Sequence, residues 1–151
     1  MADDRLDNHS SPSTCCRSKR GQEKQALGRS KGGFSTKIHA LCDALGNPLK
    51  FILTPGQTSD FTQALTLLEG KTTTAILADK GYDADYIINA AIDMKAVAVI
   101  PPKSHRKVLR EYDKDIYKER NLIERMFNKL KHFRRAATRY DKLAQSFLSF
   151  V

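Results

Sequence analysis

The chain has 151 residues, with 26 Lys and Arg against 17 Asp and Glu and a net charge of +9. That length supports one domain with a core of its own. No apolar run approaches the roughly 18 residues of a membrane span, and the polar start MADDRLDNHSSPSTCC lacks the apolar stretch of a secretory leader. Cys15, Cys16 and Cys42 are odd in number and in no paired zinc spacing, so they read as reduced thiols of a cytoplasmic protein. The charge is segregated. Residues 17–37 carry seven Lys and Arg against Glu23, and residues 103–151 carry fourteen against six acids, around an acidic middle. Two basic blocks about a near-neutral body form a footprint for a polyanion.

In chain order, residues 1–16 show neither a period of 2 nor of 3.6 and are expected to be disordered. Residues 17–33 are basic and Gly-rich and read as a phosphate-contacting loop, without the strand and helix that flank a nucleotide-binding loop. FSTKIHALCD and PLKFILT then read as strands joined by a hairpin at Ala-Leu-Gly-Asn. Their alternation predicts a half-buried sheet with Lys37 and His39 outward, so His39 is expected to be exposed or edge-facing rather than a metal ligand. Ser59 or Asp60 can cap a helix running to Leu68, stopped by Gly70. TTTAILA (72–78) is a short buried strand with Asp79 at its end. Lys80 and Gly81 turn the chain, Asp83 can cap, and a helix runs from Asp85 to Met94. AVAVI (96–100) is a further strand, ended by Pro101 and Pro102, and a basic loop spans 103–111. A long helix is expected from about Asp113 to Arg135, and a short one ends the chain with Phe147, Leu148 and Phe150 packed. The order describes an α/β domain with a mixed sheet and flanking helices.

The long helix carries the most specific pattern. At 100° per residue, Tyr117, Arg120, Glu124 and Lys131 fall on one stripe, within roughly 60° of each other. Ile116, Ile123, Met126, Phe127, Leu130 and Phe133 occupy the adjoining apolar arc that a globular helix buries. A carboxylate, two cations and a phenol on the edge of a packed helix suit a group held beside a phosphate. They equally suit a solvated charged edge.

The spacing Tyr-x2-Arg-x3-Glu-x6-Lys, here Tyr117, Arg120, Glu124 and Lys131, resembles the signature of bacterial insertion-sequence DDE transposases, nearest the insertion sequence five group of the four/five superfamily. LADKGYDAD (77–85) resembles the segment around that family's second catalytic aspartate, which would be Asp79. GRSKGGFSTKIHALCDALGNPLKFILTPGQTSD (28–60) resembles the segment between its first and second acids. The resemblance implies the RNase H-like fold and DNA transposition, with Mg2+-dependent cleavage and strand transfer (Mn2+ as a substitute). It implies that Asp79 and Glu124 are catalytic metal ligands. Arg120 and Lys131 would grip DNA phosphates and Tyr117 the strand end, with Lys129, Arg134, Arg135 and Arg139 extending the backbone contacts.

Carboxylates at a strand end and on a packed helix are suitable mounts for hard cations that keep several waters. Two carboxylates are not three, however. The family's first aspartate lies on the first, central strand in an Ile-Asp-Ser-Thr context, and residues 1–16 hold no such strand; Asp3, Asp4 and Asp7 stand in polar surroundings. Codon choices exist for residues 1–17 whose +1 frame restores it, so this stretch is read as frame-shifted sequence. Residues 34–151 would then be a partial RNase H-like catalytic domain lacking its central strand, truncated and inactive alone. The expected partners are double-stranded DNA, as terminal inverted repeats and target, and further copies or a full-length transposase in the bacterial nucleoid, with no membrane. A different class of reading is a DNA-binding modulator that keeps the basic blocks and dispenses with the triad. An RNA-binding role has little support, because the aromatics do not cluster as a stacking platform.

Overall fold

The computed structural model describes residues 2–7, 25–30, 33–106 and 109–151. The expectations for residues 8–24, including Cys15 and Cys16, fall outside it. Strands β1 (Ala2–Asp7), β2 (Gly28–Ser30), β3 (Gly33–Cys42) and β4 (Pro48–Pro55) come first. A 3₁₀ turn at Asp60–Gln63 leads into α1 (Ala64–Leu68). Then follow β5 (Ala75–Leu77), a second 3₁₀ turn (Lys80–Tyr82), α2 (Asp85–Asp93) and β6 (Val97–Val99). Helices α3 (Lys114–Lys118), α4 (Asn121–Lys131), α5 (Arg134–Ala137) and α6 (Ala144–Leu148) end the chain. No helix among the described residues is long and apolar enough to cross a membrane.

The hairpin forms where its turn residues place it. Asp43 Oδ1 accepts from the amides of Leu45 and Asn47, and Oδ2 from the Asn47 side chain, while Gly46 takes φ +84°. These bonds, that from the Asn47 side chain foremost, hold the Asp43 carboxyl below its ordinary range. β4 lies antiparallel to β3 with Ile38 opposite Leu53 and Ala40 opposite Phe51. β2 pairs with the start of β3 and meets Gly56, where a side chain on either Gly28 or Gly56 would collide with its neighbour.

β3 is the centre of this sheet, and two expectations fail there. β1 lies antiparallel along its opposite edge, with Ala2 opposite Ala40 and Asp7 opposite Ser35. Residues 2–7 are therefore a strand rather than disorder, and the sheet has a strand where the sequence reading left a gap. Ladder bonds are made by the backbone, so a polar hexapeptide can satisfy the edge of β3 as an apolar one would. Residues 28–30 and 33 are likewise strand rather than loop. The single mixed sheet resolves into two: the antiparallel sheet of β1 to β4, and the parallel pair β5–β6.

Both faces of β3 are covered, which corrects the half-buried reading. Ile38 and Ala40 pack on Ile123 and Phe127 of α4 and Phe147 of α6. A second core joins Leu67 and Leu68 of α1, Ile76 of β5 and Ile87 and Ala91 of α2, with Leu41 and Ile52 reaching it from the first sheet. Lys37 and His39 face this side and are 3% and 0% exposed. Neither lies bare in hydrocarbon. Lys37 Nζ donates to Thr58 O at 2.7 Å and to Asp60 Oδ1 at 2.5 Å, and His39 Nε2 shares a 2.7 Å hydrogen bond with Thr54 Oγ1. Burial, with the Lys37 charge, pushes the His39 pKa down against the opposing pull of Asp60.

Arg139, expected on DNA, is 2% exposed. Its guanidinium donates to Gln25 O (2.7 Å), Ala26 O (3.3 Å), Thr36 Oγ1 (2.7 Å), Asp141 O (3.0 Å) and Lys142 O (3.1 Å). It closes the C-terminus onto β3 and residues 25–26. The long helix is divided as well: Glu119 and Arg120 donate to Ile116 O and Tyr117 O in a 3₁₀ step, and Phe133 leaves the helix in extended backbone. A 3₁₀ step keeps nearly the same side inward, so apolar periodicity does not register it. At its ends the apolar arc is open to solvent, with Ile116 and Phe133 exposed. Of Phe147, Leu148 and Phe150, expected to pack, only Phe147 is buried.

Replacing Arg139 by Met strands several buried carbonyls, and is expected to cost more than about 3 kcal/mol in urea unfolding. Exposed Lys71→Ala should stay within about 0.5 kcal/mol of the parent. His39 gives a pH dependence of definite sign. A folded-state pKa below the unfolded one means the unfolded chain binds the extra proton, so stability falls as pH drops below about 6.5. Unfolding curves between pH 7.5 and 5.5 should show this slope, and His39→Gln should flatten it.

Candidate functional site

Asp79 follows β5 after one residue, the buried Ala78, and caps the 3₁₀ turn that ends in Tyr82. Its Oδ1 accepts from the Lys80 amide at 2.7 Å, and its carbonyl from the Tyr82 amide. The phenol of Tyr117, on α3, reaches the same Oδ1 at 3.4 Å. Burial pushes the Tyr117 pKa up and the nearby Asp79 carboxylate adds to it, while the Arg120 charge opposes both. Tyr112 meets Tyr117 edge-on at 5.5 Å, which fixes the ring. The Arg120 guanidinium lies 5.4 Å over that ring and pairs with Glu124 Oε1 at 2.7 Å. Asp79, Tyr117, Arg120 and Glu124 therefore form one chain of contacts from the turn after β5 through α3 to α4, with Asp79 and Tyr117 38 positions apart in sequence.

The remaining cations lie farther along. Lys129 and Lys131 are exposed in the last turn of α4, and Lys131 is about 10 Å beyond Glu124 at the helical rise. Arg134 and Arg135 are exposed on α5; Arg134 Nε donates to Tyr140 Oη at 3.3 Å, and Arg135 lies 3.9 Å over the Phe150 ring. They lie outside the contact chain about Asp79, as does the buried Arg139.

Asp79 opens into a shallow cleft of about 340 Å³, lined also by Lys80, Gly81, Lys103, Ser104 and His105. The far wall was not singled out from the sequence. Behind it Asp83, expected only to cap a helix, is buried with its side chain 0% exposed. Oδ2 accepts from the Lys103 amide at 2.8 Å and from Arg106 Nε at 2.6 Å, and Oδ1 from Arg110. Arg106 also donates to Asp85 Oδ1 at 2.6 Å. Burial raises the Asp83 pKa, but the Lys103 amide and the two guanidiniums outweigh it and hold the carboxyl below its usual range. The signal was the charge complementarity of DKGYDAD and KSHRKVLR, two stretches about twenty residues apart. A larger cavity, about 460 Å³, lies along β5 and the residues before it, lined mainly by apolar groups with Glu119 and Arg120.

Among the described residues Asp79 and Glu124 each accept through one carboxylate oxygen, Oδ1 and Oε1. No group of three or more His, Cys, Asp or Glu side chains that could hold a metal occurs among the described residues. Each carboxylate is a hard oxygen donor of the kind a divalent ion takes, and among these residues the two are linked to one another only through Tyr117 and Arg120.

The family model for the transposase DDE domain matches residues 6–151. Over 120 residues the chain is 43% identical to a Brucella ovis protein named for the transposase of insertion sequence element IS6501, covering 78% of this chain and 92% of that one. Over 128 residues it is 29% identical to a Burkholderia cepacia protein named for the transposase of IS402, covering 77% of this chain and 58% of that one. No solved structure matches. With nearly its whole length matched by the family model, the chain belongs to the insertion-sequence transposases of the DDE domain family.

Proposed function

We propose that the chain is the catalytic portion of a DNA transposase of the insertion sequence five group, built on an RNase H-like fold, and that its chemistry is cleavage and strand transfer at the ends of a mobile element. The observation that carries this reading is the contact chain from Asp79 through Tyr117 and Arg120 to Glu124. It joins the acid at the end of β5 to the acid on α4.

Transfer of a phosphodiester needs an in-line nucleophile and relief of charge on the attacking and leaving oxygens. A bound Mg2+ or Mn2+ supplies that relief and makes water or a 3′-hydroxyl nucleophilic at neutral pH. Asp79 Oδ2 and Glu124 Oε2 are the atoms that would hold it. Tyr117 orients Asp79 and presents a hydroxyl towards the strand end. Arg120 is braced between the Tyr117 ring and Glu124, so its guanidinium is placed without losing rotamer freedom when DNA binds. Lys129, Lys131, Arg134 and Arg135 continue the basic face and contact phosphates, which positions a duplex without reading its sequence. The natural partners are double-stranded DNA and further transposase subunits.

The acid set sets the limit. β1 lies beside β3, where the family's first aspartate is expected, but its sequence ADDRLD has no Asp-Ser-Thr. Residues 1–17 are on this reading frame-shifted, and the chain by itself binds ends without joining them. The two unsupplemented carboxylates also favour a second role, a modulator that occupies element ends.

Both readings are separable by gel shift on a duplex carrying the element's terminal repeat. Lys129→Ala and Lys131→Ala should each lower the slope of log affinity against log salt by about 1. Asp79→Asn should leave that slope in place. Mn2+ binding followed by electron paramagnetic resonance should weaken about tenfold or more in Asp79→Asn and in Glu124→Gln. Unchanged Mn2+ binding in both would remove the catalytic-site assignment and leave the modulator. Robust Mg2+-dependent cleavage by the chain alone would refute the loss of the first acid.

A further inference from the structure

The cleft beside Asp79 has a lining that its neighbouring acid does not explain. Lys80, Lys103 and His105 contribute cationic or titratable nitrogen, and Ser104 a hydroxyl, against the single carboxylate of Asp79. No apolar side chain lines it. A cleft of about 340 Å³ with this lining suits a tetrahedral monoanion held by several donors, and it is open enough for the chain on either side of one phosphodiester to pass.

The wall that carries Lys103, Ser104 and His105 has little of its own to hold it. It is coil, closed among the described residues by the Arg106 amide donating to Lys103 O at 3.1 Å, with the Lys103 ammonium 5.4 Å over the Phe61 ring. It is fixed from behind by Asp83, through the Lys103 amide, Arg106 and Arg110, with Asp85 holding Arg106 a second time. Asp83 is itself fixed, because its amide donates to Lys80 O at the end of the turn that Asp79 begins. The five residues from Asp79 to Asp83 thus place one carboxylate on the cleft and a second, buried, behind the opposite wall. The Asp83 cluster ties no core elements together. It fastens a polar loop to the turn of the candidate site.

We propose that Asp83 is a positioning residue, which through Arg106, Arg110 and the Lys103 amide holds the Lys103–His105 turn as a binding wall for one phosphodiester of the DNA strand beside Asp79. This rests on the reading that Asp79 stands at the scissile strand. Without the Asp83 charge, two guanidiniums lose their buried partner and the wall is released, although the strands and helices stay packed.

The test is binding of end duplexes without divalent metal, using DNA in which single phosphates near the element's end are replaced by neutral methylphosphonates. For the parent chain, one such replacement should cost about tenfold in affinity, the scale of a charge-assisted hydrogen bond. In Asp83→Asn, and in Lys103→Gln, the same replacement should cost nothing, and the double variant should bind no worse than the weaker single one. Circular dichroism checks that each variant is folded. If Asp83→Asn does not fold, the pair Arg106→Gln and Arg110→Gln, at part-exposed positions, replaces it. A methylphosphonate penalty that persists in the variants, or additive losses in the double variant, overturns the proposal. If Arg120→Ala and Lys131→Ala weaken binding while Asp83 and Lys103 variants do not, only this inference fails. If end DNA is not bound at all, the reading of Asp79 at the scissile strand fails with it.

Discussion

The turn from Asp79 to Asp83 places the polar groups on both sides of the candidate site. It leaves β5 with a carboxylate directed at its own first amide and at the Tyr117 phenol. It ends with a second carboxylate shut away from water and saturated by an amide and two guanidiniums. A buried carboxylate is costly unless partners surround it, and removing them leaves the cost uncompensated. That is why a stretch without regular structure, residues 101–106, which opens on two prolines, is nevertheless held against the turn. The signature helices approach the same turn from the other side, through Tyr117.

The same rule governs the first sheet. Packing helices on both faces of β3 forces Lys37, His39 and Thr36 out of water. Each finds a partner: Asp60 and Thr58 for Lys37, Thr54 for His39, Arg139 for Thr36. These bonds also fix topology. Arg139 reaches carbonyls more than a hundred positions earlier in the chain, and Lys37 holds the 3₁₀ turn that starts α1. The polar groups inside are therefore the joints between layers, and the apolar clusters about Leu67 and Phe127 are the layers themselves.

This division explains what could be read from the residues. Hydrophobic period and turn chemistry gave β3, β4, α2 and β6 to within about a residue, because apolar side chains and Asp43 and Gly46 act locally, whereas the strand expected over 72–78 forms only as Ala75–Leu77. The chain of contacts at the candidate site was legible from the spacing of Tyr117, Arg120 and Glu124 together with LADKG. Burial of a charged residue is invisible to such reading, since Lys37 and Arg139 look like solvent-facing cations until a distant carbonyl or carboxylate is placed beside them. The interruption at Glu119 escaped for a different reason, as a 3₁₀ step barely alters the buried side. Asp83 was visible as a cap and not as an anchor, because its partners lie some twenty residues on.

β1 separates two things that usually travel together in a catalytic strand. Hydrogen bonding along β3 uses only peptide groups, so ADDRLD can stand in the sheet despite its charge, provided its backbone runs in register. Metal ligation uses a particular carboxylate at a particular height on the strand, and no amount of correct pairing supplies it. Shifting a strand by one residue, or replacing its letters wholesale, preserves the ladder while moving every side chain to a new face or identity. On the reading proposed above, in which the first strand has exchanged sequence, Asp79, Glu124 and the basic face along α4 and α5 stay in place while one acid is missing. DNA binding, which needs only the basic face, is then expected to outlast phosphoryl transfer, which needs all three acids.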